Sequence, residues 1–79
     1  MKLYGYSERE RSRPEPVPTD LAEVTLVAGA SEIRDIAEFL LFCAGEMDRM
    51  GSTYDHIHLS DTLKQFQSSP HLVVARPRQ

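Results

Sequence analysis

The stretch from Glu32 to Met50 repeats apolar residues at steps of three and four positions. This spacing places them along one side of an α-helix about five turns long. Gly29-Ala30-Ser31 supplies a turn and an N-cap, and Gly51 stands where a left-handed C-terminal cap would end the helix. The pattern predicts one long amphipathic helix with Cys43 on its buried side. The predicted core-facing stripe consists of positions 33, 36, 37, 40, 44 and 47.

Four segments that flank the helix have the composition of β-strands. Lys2 to Tyr6 and Leu21 to Ala28 precede the helix, while a segment around His56 and His58 and the stretch from His71 to Arg76 follow it. The predicted fold class is α+β in the order β-β-α-β-β, a small, mainly antiparallel four-stranded sheet with one long helix packed on one face. In the second strand, the residues expected to face the core are Ala22, Val24, Leu26 and Ala28.

The whole chain, residues 1–79, is predicted to form a single small α+β domain. A core of this size is expected to supply about 3–5 kcal/mol of net stability. Residues 8–20 are polar and contain Pro14, Pro16 and Pro18, so we expect a flexible loop without helix or strand pairing. Ser60 and Asp61 are expected to cap a single turn that reaches Phe66. Residues 77–79 are expected to form a frayed tail.

Charge and cysteine content restrict the class of function. Nine Lys and Arg against twelve Asp and Glu give a net charge of -3, which argues against nucleic acid as a ligand. The single cysteine, Cys43, excludes an intramolecular disulfide and a multi-cysteine metal cage. No apolar run reaches the roughly 18–20 residues of a membrane span, and no signal peptide is visible. We expect a cytoplasmic protein that does not bind membranes.

The segment from Tyr54 to Asp61 places two imidazoles on one side of a predicted strand. His56 and His58 point one way, while Ile57 and Leu59 point toward the core. Together with Asp61, the exposed histidines are candidates for binding a partner.

The alternative role for these histidines is a zinc site made by His56, His58 and His71, with Asp55 or Asp61 as a further ligand. The strand register that would bring His71 to the other two is not determined by the sequence. We expect no cofactor, with zinc as the alternative.

Phe42 lies roughly opposite the predicted buried stripe of the helix. The neighbouring helical positions carry Asp35, Glu38, Glu46 and Arg49. An aromatic residue within a polar rim is typical of an interface anchor, and carboxylates at 35, 38 and 46 would mimic phosphate toward a nuclease partner. The alternative is a helix buried on two sides, with the long loop folded over Phe42.

The second face of the predicted sheet has no layer to cover it. The apolar residues expected on this face are Tyr4, Tyr6, Val27 and Val73, so a homodimer or a partner protein is expected to cover it. The alternative is single exposed apolar groups, which are common. The sequence has no glycine-rich phosphate loop, no Gly-x-Ser-x-Gly turn and no Cys-His pair, so we expect no enzymatic activity.

Several segments together resemble the bacterial immunity protein 32 family. They are Met1 to Ser7, Leu21 to Val27, Ile36 to Leu40, Asp55 to Asp61 and Ser69 to Val74. The resemblance implies an α+β protein that neutralises a cognate toxin by direct binding, without chemistry of its own. The matching positions that also belong to the candidate site are His56, His58 and Asp61. The stretch from Arg9 to Pro18 is longer than is typical of the family.

Overall fold

The computed structural model describes residues 1–77 and has an α+β fold dominated by one long helix. In chain order, the elements are strand β1 (Tyr4–Gly5), helix α1 (Glu8–Arg11), strand β2 (Thr19–Asp20), helix α2 (Ala30–Met50), strand β3 (His56–His58), helix α3 (Leu59–Thr62) and strand β4 (Val73–Ala75). Short 3-10 turns at Gly51–Thr53 and Lys64–Phe66 flank β3 and α3. The frayed tail predicted at 77–79 falls largely on residues 78 and 79, which lie outside the described residues.

Helix α2 confirms the long predicted helix, with 21 residues from Ala30 to Met50. The helix begins two residues before the predicted Glu32, its N-cap is Gly29 of the predicted Gly29-Ala30-Ser31 segment, and the Gly29 amide donates to Glu32 Oε1 at 3.0 Å. At the other end Gly51 caps the helix as predicted, but its φ of 56° and ψ of -128° form a positive-φ conformation outside the left-handed helical region, which glycine adopts more readily than other residues. Local capping chemistry thus determines where the helix begins and ends.

The predicted single four-stranded sheet is not confirmed, because the described chain forms two separate two-stranded antiparallel sheets. In the first, Tyr4 lies opposite Asp20. In the second, His58 lies opposite Val73 and Ile57 opposite Val74. The uncovered face predicted from Tyr4, Tyr6, Val27 and Val73 therefore does not exist as one surface of one sheet, although all four residues are exposed. Tyr4 belongs to the first sheet and Val73 to the second, while Tyr6 and Val27 lie between secondary-structure elements.

The prediction of a strand from Leu21 to Ala28 is wrong. Pairing with β1 involves Thr19–Asp20, and it continues only to a bond from the Leu21 amide to the Leu3 carbonyl at 2.8 Å. The following residues have no strand partner in the described chain, and Val27 is 91% exposed. An alternating pattern produces a strand only where a neighbouring strand and a core layer are present. Here the helix packs against the second sheet instead.

The prediction that residues 8–20 form neither helix nor strand pairing is also wrong. Ser7 Oγ accepts from the Glu10 amide at 3.0 Å and caps the short helix α1, which ends before the first proline. The Glu10 carboxylate then accepts from the Val17 amide at 2.9 Å and pairs with Arg13 at 3.2 Å. A serine cap and a glutamate that bridges the loop order this polar segment.

The core lies between helix α2 and the chain that follows it. Ile36, Phe39 and Cys43 from α2 form one buried cluster with Leu59 and Phe66. The cluster is extended by partly buried residues of the second half, namely Ile57, Leu63, Leu72 and Val74. This arrangement confirms the buried position of Cys43 and the inward direction of Ile57 and Leu59.

The buried side of α2 differs from the predicted stripe. Ile36 is buried as predicted, but Ile33, Ala37, Leu40 and Ala44 are exposed. The sequence has apolar residues around most of the helix circumference, so periodicity alone does not determine which side the core covers. The helix is rotated so that Phe39 and Cys43 face the second sheet, and one apolar side is left uncovered.

Candidate functional site

The outer face of the β3–β4 sheet carries the histidines. His56 is exposed and His58 half-buried, while Ile57 between them packs against the core. On the neighbouring strand, Val73 and Ala75 lie opposite His58 and His56 and are both exposed. The predicted direction of the two histidines is therefore confirmed.

The antiparallel register brings the third histidine to the same place. The ring centroids of His56 and His58 are 5.1 Å apart with an edge-on arrangement, and those of His58 and His71 are 6.2 Å apart in a similar one. His71 precedes β4 by two residues, so pairing of His58 with Val73 places its ring beside His58. We call these three residues, His56, His58 and His71, the histidine row.

Each imidazole of the row has a charged neighbour. His56 Nδ1 lies 2.5 Å from Asp55 Oδ2, and His58 Nδ1 lies 3.7 Å from Asp61 Oδ2. Contacts through Nδ1 leave the Nε2 atoms of these two rings available to a partner. At the end of the row, Arg11 donates from Nη2 to His71 Nε2 at 2.9 Å.

A shallow cavity of about 340 Å³ lies at the His56 end of the row. It is lined by Asp55, His56, Val73, Ala75 and Arg76. The Arg76 amide donates to the Asp55 carbonyl at 3.0 Å, and its Nε donates to the Tyr54 carbonyl at 3.0 Å. Arg76 is thereby held at the cavity, which Asp55 also lines. The cavity is thus lined by a fixed cation, a carboxylate, an imidazole and two small apolar side chains.

Sequence reasoning missed Arg11 and Arg76 as members of this surface. Arg76 stands at the end of the last predicted strand, so an antiparallel pairing with Asp55 would have indicated its position. Arg11 lies 60 positions from His71 and has no local signal. Both guanidinium groups bring positive charge to a face on which the sequence had indicated only histidines and carboxylates.

The three imidazoles are arranged side by side rather than around a common point. Among residues 1–77, no group of three or more His, Cys, Asp or Glu side chains is placed to hold a metal ion. The zinc alternative with His56, His58 and His71 therefore has the predicted residues on one face, but without a ligand cage around one centre. Binding of zinc would require these side chains to change rotamers.

The acidic side of α2 is a second predicted site. Phe42 is 46% exposed. The alternative in which the long N-terminal loop folds over Phe42 and buries it is therefore wrong. Asp35 accepts from Gln65 Nε2 at 3.2 Å, and Glu46 forms an ion pair with Arg49 that raises the pKa of the guanidinium. Only Glu38, among the three carboxylates predicted to mimic phosphate, is free of a side-chain partner within residues 1–77. We call Asp35, Glu38, Phe42 and Glu46 the acidic face.

Comparison with known proteins identifies no relative: no family model, no curated protein and no solved structure matches this chain. Within residues 1–77, helix α2 and the shorter helices lack the length or apolar character needed to cross a bilayer.

Proposed function

We propose that this protein is a non-catalytic binding domain that docks a partner protein on the outer face of the β3–β4 sheet. The histidine row is the observation that carries this proposal, since three flat, amphipathic rings lie within 6.2 Å of their neighbours on an uncovered face. Val73 and Ala75 add apolar area beside the rings, and Arg11 and Arg76 add guanidinium groups. A mixture of apolar centre and polar rim is typical of protein interfaces.

We further propose that the partner is a toxin and that the chain acts as its immunity protein. The resemblance to the immunity protein 32 family supports this step, because His56, His58 and Asp61 belong to its matching segments. His56 and His58 lie together on the exposed sheet face, and Asp61 of helix α3 brings its Oδ2 to 3.7 Å from His58 Nδ1. Neutralisation would follow from occupation of the toxin surface by this face, without a reaction on the chain.

The acidic face of α2 is the second candidate surface for the same partner. Phe42 offers an apolar anchor, and Glu38 a carboxylate without a partner in the described chain. If the toxin is a nuclease, this charge would speed association with its basic substrate cleft. A cytoplasmic location is part of the proposal, because the toxin would act on targets inside the cell.

Affinity capture from the organism that encodes the chain tests the proposal. We expect the tagged wild type to recover one toxin-like protein, which mass spectrometry identifies, and His56→Ala/His58→Ala to lose it. Phe42→Ala is the matched control on the other surface and should retain the partner. Circular dichroism checks that the variants fold, which we expect because all three side chains are at least partly exposed.

Each alternative predicts a different capture pattern. Loss of the partner with Phe42→Ala but not with the histidine variant would move the interface to the acidic face. Loss of the wild-type complex in EDTA, with recovery on added zinc, would favour the metal-binding alternative. If the captured protein is not toxic to cells, or if the chain does not restore growth when both are expressed, the immunity function is wrong.

A further inference from the structure

Helix α2 has a second apolar side that does not contact the core. Leu41 is 74% exposed, Leu40 48% and Ile33 40%, and Ala30, Ala37 and Ala44 on the same side are exposed as well. At 100° per residue these positions occupy a band about 100° wide, directed away from Phe39 and Cys43. We call this band the outer stripe, and its members are Ala30, Ile33, Ala37, Leu40, Leu41 and Ala44.

The spacing of the outer stripe is that of a helix-to-helix seam. Ile33, Ala37, Leu40 and Ala44 follow one another at steps of four, three and four, which is the heptad spacing of two packed helices. The small alanines allow close approach of a second helix axis, to about 8 Å. Helix α2 is about 31 Å long, and the outer stripe from Ala30 to Ala44 extends over about 21 Å of it. These features fit another helix better than a sheet.

The charges beside the outer stripe are self-complementary. Arg34 and Asp48 are both exposed, and neither forms an ion pair within residues 1–77. Arg34 lies seven residues before Leu41, and Asp48 lies seven residues after it. A two-fold axis at Leu41 would therefore set Arg34 of each copy against Asp48 of the other, whereas parallel packing would oppose like charges.

We propose that α2 pairs antiparallel with α2 of a second copy through the outer stripe. The apolar centre around Leu40 and Leu41 supplies the buried area, and the two Arg34–Asp48 pairs determine the orientation of the helices. The interface lies on the helix and not on the β3–β4 sheet, so the histidine row remains exposed in the dimer. The proposal is independent of the identity of any partner.

Sedimentation equilibrium of the purified chain from about 1 μM to about 1 mM tests this directly. We expect the wild type to approach twice its monomer mass and Leu41→Glu to weaken dimerisation about a hundredfold or more, because two carboxylates would meet at the axis. Val73→Glu, a matched substitution on the outer sheet face, should leave the dimer unchanged. Leu41→Ala serves as a second variant if Leu41→Glu does not fold, and it should weaken the dimer less.

A charge exchange tests the antiparallel orientation. Arg34→Asp and Asp48→Arg should each weaken the dimer, and the double variant should recover it, since the cross-copy pairs form again in reverse. In a parallel dimer, like charges face each other in the wild type and in every variant, so neither single variant would weaken the dimer relative to the wild type. That outcome, or a wild type that stays monomeric up to about 1 mM, would overturn the proposal. Loss of dimer with Val73→Glu but not with Leu41→Glu would do so too, by placing the interface on the sheet.

Discussion

At the residue scale, Tyr54 is the polar side chain that the core accommodates most completely. It is 1% exposed, and its hydroxyl donates to the Val74 carbonyl at 2.9 Å. Burial, together with the nearby Cys43 thiol and Glu46 carboxylate, raises the pKa of Tyr54 to about 12. The folded state therefore holds the phenol proton more tightly than the unfolded chain, where the pKa is about 10. Tyr54 links the chain that follows α2 to strand β4.

The raised pKa of Tyr54 predicts a loss of stability in alkali. Because the folded pKa lies above the unfolded one, this stabilisation is complete below pH 10 and is lost as the pH rises toward 12. Tyr54→Phe should lower the free energy of unfolding near pH 7 by about 1 kcal/mol, since the Val74 carbonyl loses its donor. Urea unfolding of both proteins between pH 7 and 11.5 measures the difference, which should shrink as the pH rises.

The exposed Tyr4 provides the control for this prediction. Tyr4→Phe should leave the free energy of unfolding near pH 7 unchanged, because Tyr4 is 57% exposed and the replaced hydroxyl stays in water. A constant difference between wild type and Tyr54→Phe across the whole pH range would show that the phenol is not retained in its protonated form by folding.

At the element scale, Gly45 inside α2 and Gly51 at its C-cap are expected to respond in opposite directions to the same substitution. Gly51 has a positive φ of 56°, so Gly51→Ala should destabilise the protein by about 1 kcal/mol. Gly45 is helical, and an added Cβ would meet no atom within 4 Å, so Gly45→Ala should stabilise it by about 0.5–1 kcal/mol. Urea midpoints measured under identical conditions compare the two. If both substitutions changed the free energy of unfolding in the same direction, the role of Gly51 as a positive-φ cap would be contradicted.

Elements determined by local chemistry were predictable from the sequence. The spacing and the terminal glycine placed α2 within two residues at its start, and alternation around Ile57 placed the histidines on the outer face of β3. Both signals depend on neighbours within a few positions. The same reasoning explains why the histidine pair was found and why His71 was left open, since its position depends on a strand register.

Elements determined by distant partners were not predictable. The alternation from Ala22 to Ala28 satisfies a strand pattern, but no strand or core layer in the described chain meets it. Apolar residues on most sides of α2 left the direction of the core undetermined, and packing against Leu59 and Phe66 selected Phe39 and Cys43. Arg11 joins the histidine row only through tertiary contact. The strand partners, the buried side of the helix and the contacts between distant residues all depend on the packing energy of the whole chain.

At the scale of the whole molecule, stability is concentrated in residues 30–75. The buried cluster draws on α2 and on the chain after it, and no residue from 1 to 29 is buried. The first sheet has two residue pairs and an exposed edge, whereas the second is attached to the core through Ile57, Leu72 and Val74. A contact that connects the two parts is the exposed hydrogen bond from Arg11 to His71. This distribution predicts that the first sheet opens without unfolding the core.

Amide hydrogen exchange measured by NMR tests this separation. Phe66→Leu should destabilise the core by about 1 kcal/mol and speed exchange of the protected α2 amides about fivefold, since they exchange through global unfolding. The Leu21 amide, bonded to the Leu3 carbonyl at 2.8 Å, should keep its wild-type rate because it exchanges through local opening. Val17→Ala, at an exposed position, is the control that should alter neither set. Equal acceleration of both sets by Phe66→Leu would mean that the first sheet and the core unfold as one cooperative unit.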